Sequence, residues 1–249
     1  MTRKSKILIV VLAACGVTAI IGYAIPSVLI AKAGRLAVLV FKLGKSPDTC
    51  NRAGVCPLMI AAAESNVELV STLLGEGAAV NKRDSEGRTA LHFAMFGDNP
   101  EVVRILLRAG ADPNLRNASG FTPLSSFDEP HYCYLCAEPL ILAGTDLQAR
   151  EPGGYSILMA AVSADDPPLV KMLIARGANP NQADDGGKTA LILAAQLGRI
   201  EAAKELINAG ASLELKDGAG KDAAQYARES TILTPDEKRA FFDLLSKHK

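Results

Sequence analysis

The sequence predicts an all-α solenoid: helix-turn-helix units joined by β-hairpin-like loops and stacked behind an N-terminal hydrophobic helix. Three observations carry this. A motif recurs along the chain at a shift of about 33 residues, far beyond the period of any single helix. Gly and Pro are numerous, 21 and 13, but evenly spread, as expected of turns recurring at intervals. The first 31 residues differ in kind from all that follows.

The repeat reads most clearly in residues 84–116, DSEGRTALHFAMFGDNPEVVRILLRAGADPNLR, and 184–216, DDGGKTALILAAQLGRIEAAKELINAGASLELK. Residues 51–83 and 151–183 align with them. Thr89-Ala90-Leu91-His92 and Thr189-Ala190-Leu191 open first helices. Gly77-Ala78, Gly110-Ala111, Gly177-Ala178 and Gly210-Ala211 close second helices, and Asn81, Asn114 and Asn181 share one place after those exits. From Leu36 to Tyr226 the chain resembles the ankyrin-repeat family, whose marks are a T-P-L-H-x-A-like helix start and a Gly-Ala-like exit.

Each element has a physical reason. Thr89 and Thr189 cap first helices, satisfying amides with no partner inside the helix. Ala94, Ala161, Ala194 and Ala195 keep those helices thin enough to stack. The pairs Leu73-Leu74 and Leu106-Leu107 supply the buried stripe of second helices. Gly110 and Gly210 permit the left-handed residue that stops a helix. One unit cannot bury its own apolar face, so stacking builds the core.

The units expected are a capping half-repeat over 32–50, repeats over 51–83 and 84–116, and an irregular repeat over 117–150. Further repeats follow over 151–183 and 184–216, with a C-terminal capping repeat over 217–249. The cap replaces the threonine with Asp222 and ends in Thr234-Pro235-Asp236-Glu237, a capping box, before Phe241, Phe242, Leu244 and Leu245. The irregular unit begins as Phe121-Thr122-Pro123-Leu124. Pro130 is expected to end or distort its first helix, and Pro139 sits where the second should continue.

At the N-terminus, Arg3, Lys4 and Lys6 precede an uncharged stretch from Ile7 to Ala31, interrupted by Pro26. A basic start before an apolar run is the order of an export signal, and about 20 apolar residues also span a bilayer. Residues 1–31 therefore read as a retained signal anchor or transmembrane helix, a signal cleaved near Gly22-Tyr23-Ala24, or a lipoprotein signal placing the lipid on Cys15. The residues after Cys15 stay apolar, which counts against lipidation. The body is then expected at an inner membrane with its repeats in the periplasm, or periplasmic, or lipid-anchored, in a bacterial envelope. Lys32, Arg35, Lys42 and Lys45 follow the run closely and leave its orientation open.

Little catalytic chemistry emerges. Lys+Arg and Asp+Glu are both 27, which asks for neither nucleic acid nor an acidic partner. Cys50, Cys56, Cys133 and Cys136 are candidates for two local disulfides in an oxidising compartment, with free thiols the alternative. Cys133-x-x-Cys136 also suits redox or metal chemistry, but it lacks a thioredoxin-like surround, and beside His131 no fourth metal ligand stands near. His92 matches the histidine that, in the family, hydrogen-bonds between neighbouring units. Ser125 and Ser126 have no adjacent base. Asp165-Asp166 precedes Pro167-Pro168 as a helix cap. Gly186-Gly187-Lys188-Thr189 ends like a phosphate loop but lacks its strand and glycine spacing. The chain is expected to be no enzyme, to need no metal or cofactor, and to take no small-molecule substrate.

What remains is a surface. The resemblance implies protein recognition by hairpin tips and the exposed face of first helices. By position the tips are Arg52, Val55, Glu86, Arg88, Phe121, Tyr155, Lys188 and Lys221; the helix positions are Glu64, Phe96, Gln196 and Leu197. Arg and aromatic side chains are the types enriched in binding hot spots. With aromatics at 5% and no Trp, few large anchors exist. The expected function is an exported, membrane-held monomer that binds a protein partner, as an inhibitor or immunity protein of an envelope-acting toxin or hydrolase. The alternatives are a stress- or redox-linked adaptor using Cys133 and Cys136, and a membrane-anchored cytosolic scaffold.

Overall fold

The computed structural model describes residues 46–125 and 134–246. The N-terminal run with Cys15, residues 32–45 of the first cap, and Ser126, Pro130, His131 and Cys133 lie outside the described residues. Among the described residues no helix is long and apolar enough to cross a membrane. The chain divides into two compact units, Met1–Ala143 and Gly144–Lys249.

In the first unit, α1 (Pro57–Ala63) pairs with α2 (Val67–Gly75), and α3 (Ala90–Ala94) with α4 (Pro100–Arg108). A 3-10 turn, Pro123–Ser125, follows; a second, Tyr134–Cys136, runs into α5 (Ala137–Leu142). First helices stack on one another, α1 on α3, as do second helices, α2 on α4 and α4 on α5. The repeat sets the core register. Leu58, Leu91 and Leu124 form one buried column, and Leu73, Leu106 and Leu140 a second, all at most 3% exposed. Each such leucine contributes roughly 1.5–3 kcal/mol over an exposed one. Ala61, Ala62 and Ala94 are equally buried, and their size lets α1 and α3 approach. Leu74 and Leu107 are half-exposed, so only the first leucine of each expected pair belongs to the core.

In the second unit, α6 (Ile157–Ser163) pairs with α7 (Pro167–Ala175), α8 (Ala190–Leu197) with α9 (Ile200–Asn208), and α10 (Ala223–Glu229) with α11 (Pro235–Ser246). Stacking runs α6–α8–α10 and α7–α9–α11. Leu158, Leu191, Leu173 and Leu206 repeat the two columns, and Phe241 is wholly buried on α11. Glu237 accepts the Thr234 amide at 2.7 Å and returns its own to the Thr234 hydroxyl at 3.3 Å, closing the box at the start of α11. Those Thr234 contacts hold the Glu237 carboxyl below its usual range.

Among the described residues the loops form no strand, only isolated antiparallel bridges, Arg150 with Ser156 and Ala183 with Thr189. The turns are instead built on one acidic or amide side chain each. Asp84 Oδ1 accepts the amides of Glu86 and Arg88 at 2.9 and 2.8 Å. Asn51, Asn117, Asp184 and Asp217 do the same two and four residues on. At Glu151, one methylene longer, the tip is a 3-10 turn, Pro152–Gly154, that keeps the backbone bond from Glu151 N to Tyr155 O at 2.8 Å. Tips also lean on one another. Ser85 N donates to Ala53 O at 2.8 Å and Ala118 N to Glu86 O at 2.7 Å; in the second unit Asp185 N donates to Gly153 O and Gly218 N to Gly186 O. Gly87 (φ +72) shows why glycine closes these turns: a Cβ there lies 3.0 Å from Ala118 N of the next tip.

A second staple joins successive exits. Asn81 donates to Gly110 O at 3.0 Å and accepts the Asp112 amide at 2.9 Å. Asn181 repeats this with Gly210 O and the Ser212 amide. Both amide faces are used, which fixes the side chain.

The expectation for Pro139 needs correcting. It lies inside α5 rather than interrupting it. The preceding 3-10 turn makes the proline the third residue of the α-helix, where its missing N–H has no intrahelical acceptor to forgo. Cys136, Ala137 and Leu140 on this stretch are wholly buried.

Candidate partner-binding surface

In the first unit the surface is organised around Arg88. Its carboxylate partner Asp84 has a fully buried side chain, and Arg88 Nη2 lies 2.8 Å from Asp84 Oδ2, with Nη1 3.2 Å from Glu86 Oε2. The guanidinium also sits over the Phe93 ring, 4.8 Å from its centroid. Turn, salt bridge and ring thus hold one rotamer-rich side chain in one place. Glu86 and Arg52 are exposed; Val55, Phe96 and Phe121 are half-buried. Phe96 lies beyond the end of α3, not on a first helix as expected, because that helix stops at Ala94.

Beneath this surface lies His92, 1% exposed. Its Nδ1 accepts the Thr89 amide at 3.1 Å and meets the Thr89 hydroxyl at 3.0 Å. Its Nε2 lies 3.1 Å from Phe121 O, so the neutral ring donates there, to the next tip. Burial pushes its pKa below the ordinary histidine value, against the raising effect of the Phe121 carbonyl. A buried neutral imidazole engaged at both nitrogens is a strut. The Thr89 hydroxyl therefore faces His92, whereas Thr189 Oγ1 caps α8 as expected, accepting the Ile192 amide at 3.3 Å. Ser125 plays the histidine's inner part for Thr122, its Oγ accepting the Thr122 amide at 2.9 Å.

In the second unit the expected residues are also held. The Tyr155 hydroxyl lies 2.5 Å from Ser163 Oγ. Lys188 Nζ donates to Gln196 Oε1 at 2.9 Å, and Lys221 pairs with Glu229 at 2.5 Å. Both ammoniums flank one ring, Tyr226, at 5.6 and 5.7 Å from its centroid. The Tyr226 hydroxyl donates to Asp217 Oδ2 at 2.6 Å. That bond, ahead of the Lys221 amide, holds the Asp217 carboxyl below its usual value and raises the tyrosine. A cleft of about 290 Å³ opens here, lined by Gln196, Tyr226, Glu229, Ser230, Thr231 and Ile232. Sequence reasoning passed over Tyr226. The available signal was its offset from Asp217, which equals that of Phe93 from Asp84.

The remaining candidates are accounted for by local structure. Cys50 and Cys56 are joined as a disulfide, and Cys136 is disulfide-bonded as well. Asp166 caps α7 by accepting the Leu169 amide at 2.9 Å, while Asp165 pairs with Arg199 at 2.9 Å. Gly186 to Lys188 form an ordinary tip on Asp184. Among the described residues no group of three His, Cys, Asp or Glu is placed to share a metal ion.

The model of ankyrin repeats (3 copies) matches residues 28–117 and 131–217. Among solved structures, the ankyrin repeat domain of Bcl-3, a member of the IkappaB protein family, is 26% identical; the match covers 90% of this chain and 99% of that one, with a TM-score of 0.70. An ankyrin repeat domain from Acinetobacter baumannii is 29% identical over 77% of this chain and 97% of its own, at a TM-score of 0.68. A chain from the complex of a predatory endopeptidase of Bdellovibrio bacteriovorus with an immunity protein is 27% identical. That match covers 81% of this chain and all (100%) of the other, with a TM-score of 0.66. No curated protein matches. Ankyrin repeats are protein-protein interaction modules. The chain belongs to the ankyrin-repeat family.

Proposed function

We propose that this chain is an exported, membrane-held binding module of a bacterial envelope, acting as an inhibitor or immunity protein against a hydrolase or toxin in that compartment. The observation that carries the reading is the match, over 81% of this chain, to the whole of a chain from the endopeptidase–immunity protein complex. Two features support the location. The basic start and the apolar run Ile7 to Ala31 have the order of an export or anchor segment. The Cys50–Cys56 disulfide, and the bonded state of Cys136, suit an oxidising compartment. A redox adaptor working through Cys133 and Cys136 fits less well, because Cys136 is wholly buried.

The test uses the full chain in native membranes. A partner crosslinked in intact cells is expected to be a hydrolase whose activity falls when the purified chain is added. Replacing Arg88, Phe121 and Tyr155 together by Ala should abolish capture; unchanged capture would refute the surface. In spheroplasts, after reduction, an impermeant thiol reagent should label Cys50. Protection of Cys50 there would favour a membrane-anchored cytosolic scaffold.

A further inference from the structure

The first tip of the described chain differs from the others in one respect. Cys50 and Cys56 stand at the two sides of the Asn51 turn, where Arg150 and Ser156, and Ala183 and Thr189, form isolated bridges in later turns. Here the pair is covalent, with Cα atoms 4.1 Å apart. Cys56 also takes the place that Thr89, Thr122, Ser156, Thr189 and Asp222 occupy before their first helices. Those positions are served by nitrogen or oxygen: His92 for Thr89, Ser125 for Thr122, and a side-chain oxygen on Ser156, Thr189 and Asp222. At α1 the corresponding contact runs from the Cys56 amide to Met59 Sδ at 3.4 Å, and sulfur is a weak acceptor. The sequence has exchanged an oxygen-based cap for one made of sulfur, with the Cys56 sulfur held in a disulfide.

We propose that the Cys50–Cys56 disulfide is a redox-sensitive clasp, holding the first tip and the start of α1 where the other units rely on an oxygen-bearing cap. Cys56 is buried and Cys50 half-exposed, so a reductant meets Cys50 first. A thiolate of a dithiol reductant attacks Cys50 Sγ. The bond to Cys56 breaks, and Cys56 leaves as a thiolate that takes up a proton. The second thiol of the reductant then displaces Cys50, which ends as a thiol, and the reductant ends as a disulfide. Two electrons pass from the dithiol to the cysteine pair. The turn afterwards retains its hydrogen bonds alone: Asn51 Oδ1 accepts the Ala53 and Val55 amides, and the backbone joins Asn51 N to Val55 O and Gly54 N to Asn51 O. The change reaches further, because Ala53 O accepts Ser85 N of the next tip. Arg52, exposed inside the clasped loop, is presented or released with it; that consequence for partner capture rests on the function proposed above.

Amide hydrogen exchange on the full chain, oxidised and then reduced with dithiothreitol, tests this. Reduction is expected to raise exchange at Ala53, Val55 and Met59 by roughly 50-fold, the loop-closure effect of so small a ring. In the variant Cys50→Ser/Cys56→Thr, which restores the hydroxyl of the other repeats, exchange at these amides should not respond to reductant. That variant retains Cys136, so it also controls for the other disulfide. Unchanged exchange on reducing the wild-type chain overturns the clasp, as does an equal response in the variant. If exchange responds as expected but no partner is captured in either state, the clasp stands and the proposed function falls.

Discussion

Replacing His92 by Ala removes a strut between two repeats. The change leaves the Thr89 amide without its partner at 3.1 Å, in a site 1% exposed, and leaves the Phe121 carbonyl with the Asn117 amide alone. The orphaned buried amide costs about 1–3 kcal/mol, and the vacated ring volume adds to that. The variant is therefore expected to lose about 2–4 kcal/mol in urea unfolding. His92→Ser separates the two legs. As Ser125 does for Thr122, it restores the inner bond at the helix start but cannot reach the next tip. It should recover about 1 kcal/mol of the loss. The strut also has a pH signature. Burial lowers the folded pKa of His92 from its ordinary 6.5, so the unfolded chain protonates first as pH falls. The contribution is whole above pH 6.5 and is lost progressively below it, until the folded imidazole itself takes a proton. The wild-type advantage over His92→Ser should shrink as pH falls below 6.5. A loss under about 1 kcal/mol, or an advantage that grows on acidification, refutes the reasoning.

Further outcomes follow from the turns and the C-terminal cleft. Gly87→Ala should cost about 1 kcal/mol more than Gly110→Ala in thermal unfolding, since both have positive φ but only the Gly87 Cβ meets a neighbouring backbone. Tyr226→Phe removes the hydroxyl that holds Asp217 ionised, so carboxyl NMR titration should show the Asp217 pKa moving up. The stabilisation tied to Asp217 is present above its unfolded pKa and lost as pH falls through the folded one, and the variant should begin to lose it at higher pH. Asn81→Ala breaks two bonds to the following exit loop and should cost about 1–2 kcal/mol, whereas Asn81→Asp keeps the acceptor to Asp112 N and should cost less.

The helices were legible because their signals are local. Thr189, Gly110, Gly210 and the Asp166-Pro167 cap act within one helix end, and the leucine columns fall straight out of the period. Pro139 was misread because its effect depends on where the helix begins, and a 3-10 turn moved that point to Ala137. The staples were half legible. Asn81 and Asn181 could be seen to share a place, yet their partners lie 29 and 31 residues on and meet them only through stacking. Gln148, which donates to Gly177 O at 2.7 Å in the same manner, is masked in the sequence by a change of residue type. The surface was legible as a set of positions but not as a state: sequence marks Arg88, Lys188 and Lys221 as exposed types, and the structure gives each a partner.

Those partners bear on how such a surface binds. An interface of long cationic side chains ordinarily loses about 0.5–1.5 kcal/mol for each one immobilised. Here much of that ordering is complete before a partner arrives. Arg88 is fixed by Asp84, Glu86 and Phe93, Lys188 by Gln196, Lys221 by Glu229, and Tyr155 by Ser163. The buried Asp84 side chain separates Arg88 from the rest: it takes two turn amides as well as the guanidinium, so it anchors the turn and the arginine together. Lys188 is held by a neutral amide and Lys221 by an exposed glutamate, each with the Tyr226 ring more distantly beside it, and either exchanges its partner at little cost. The first unit thus carries a fixed Arg88–Phe93 stack, and the second carries adjustable lysines around Tyr226. Truncating Arg88 should act mainly by speeding dissociation, and truncating Lys188 or Lys221 mainly by changing the salt dependence of association.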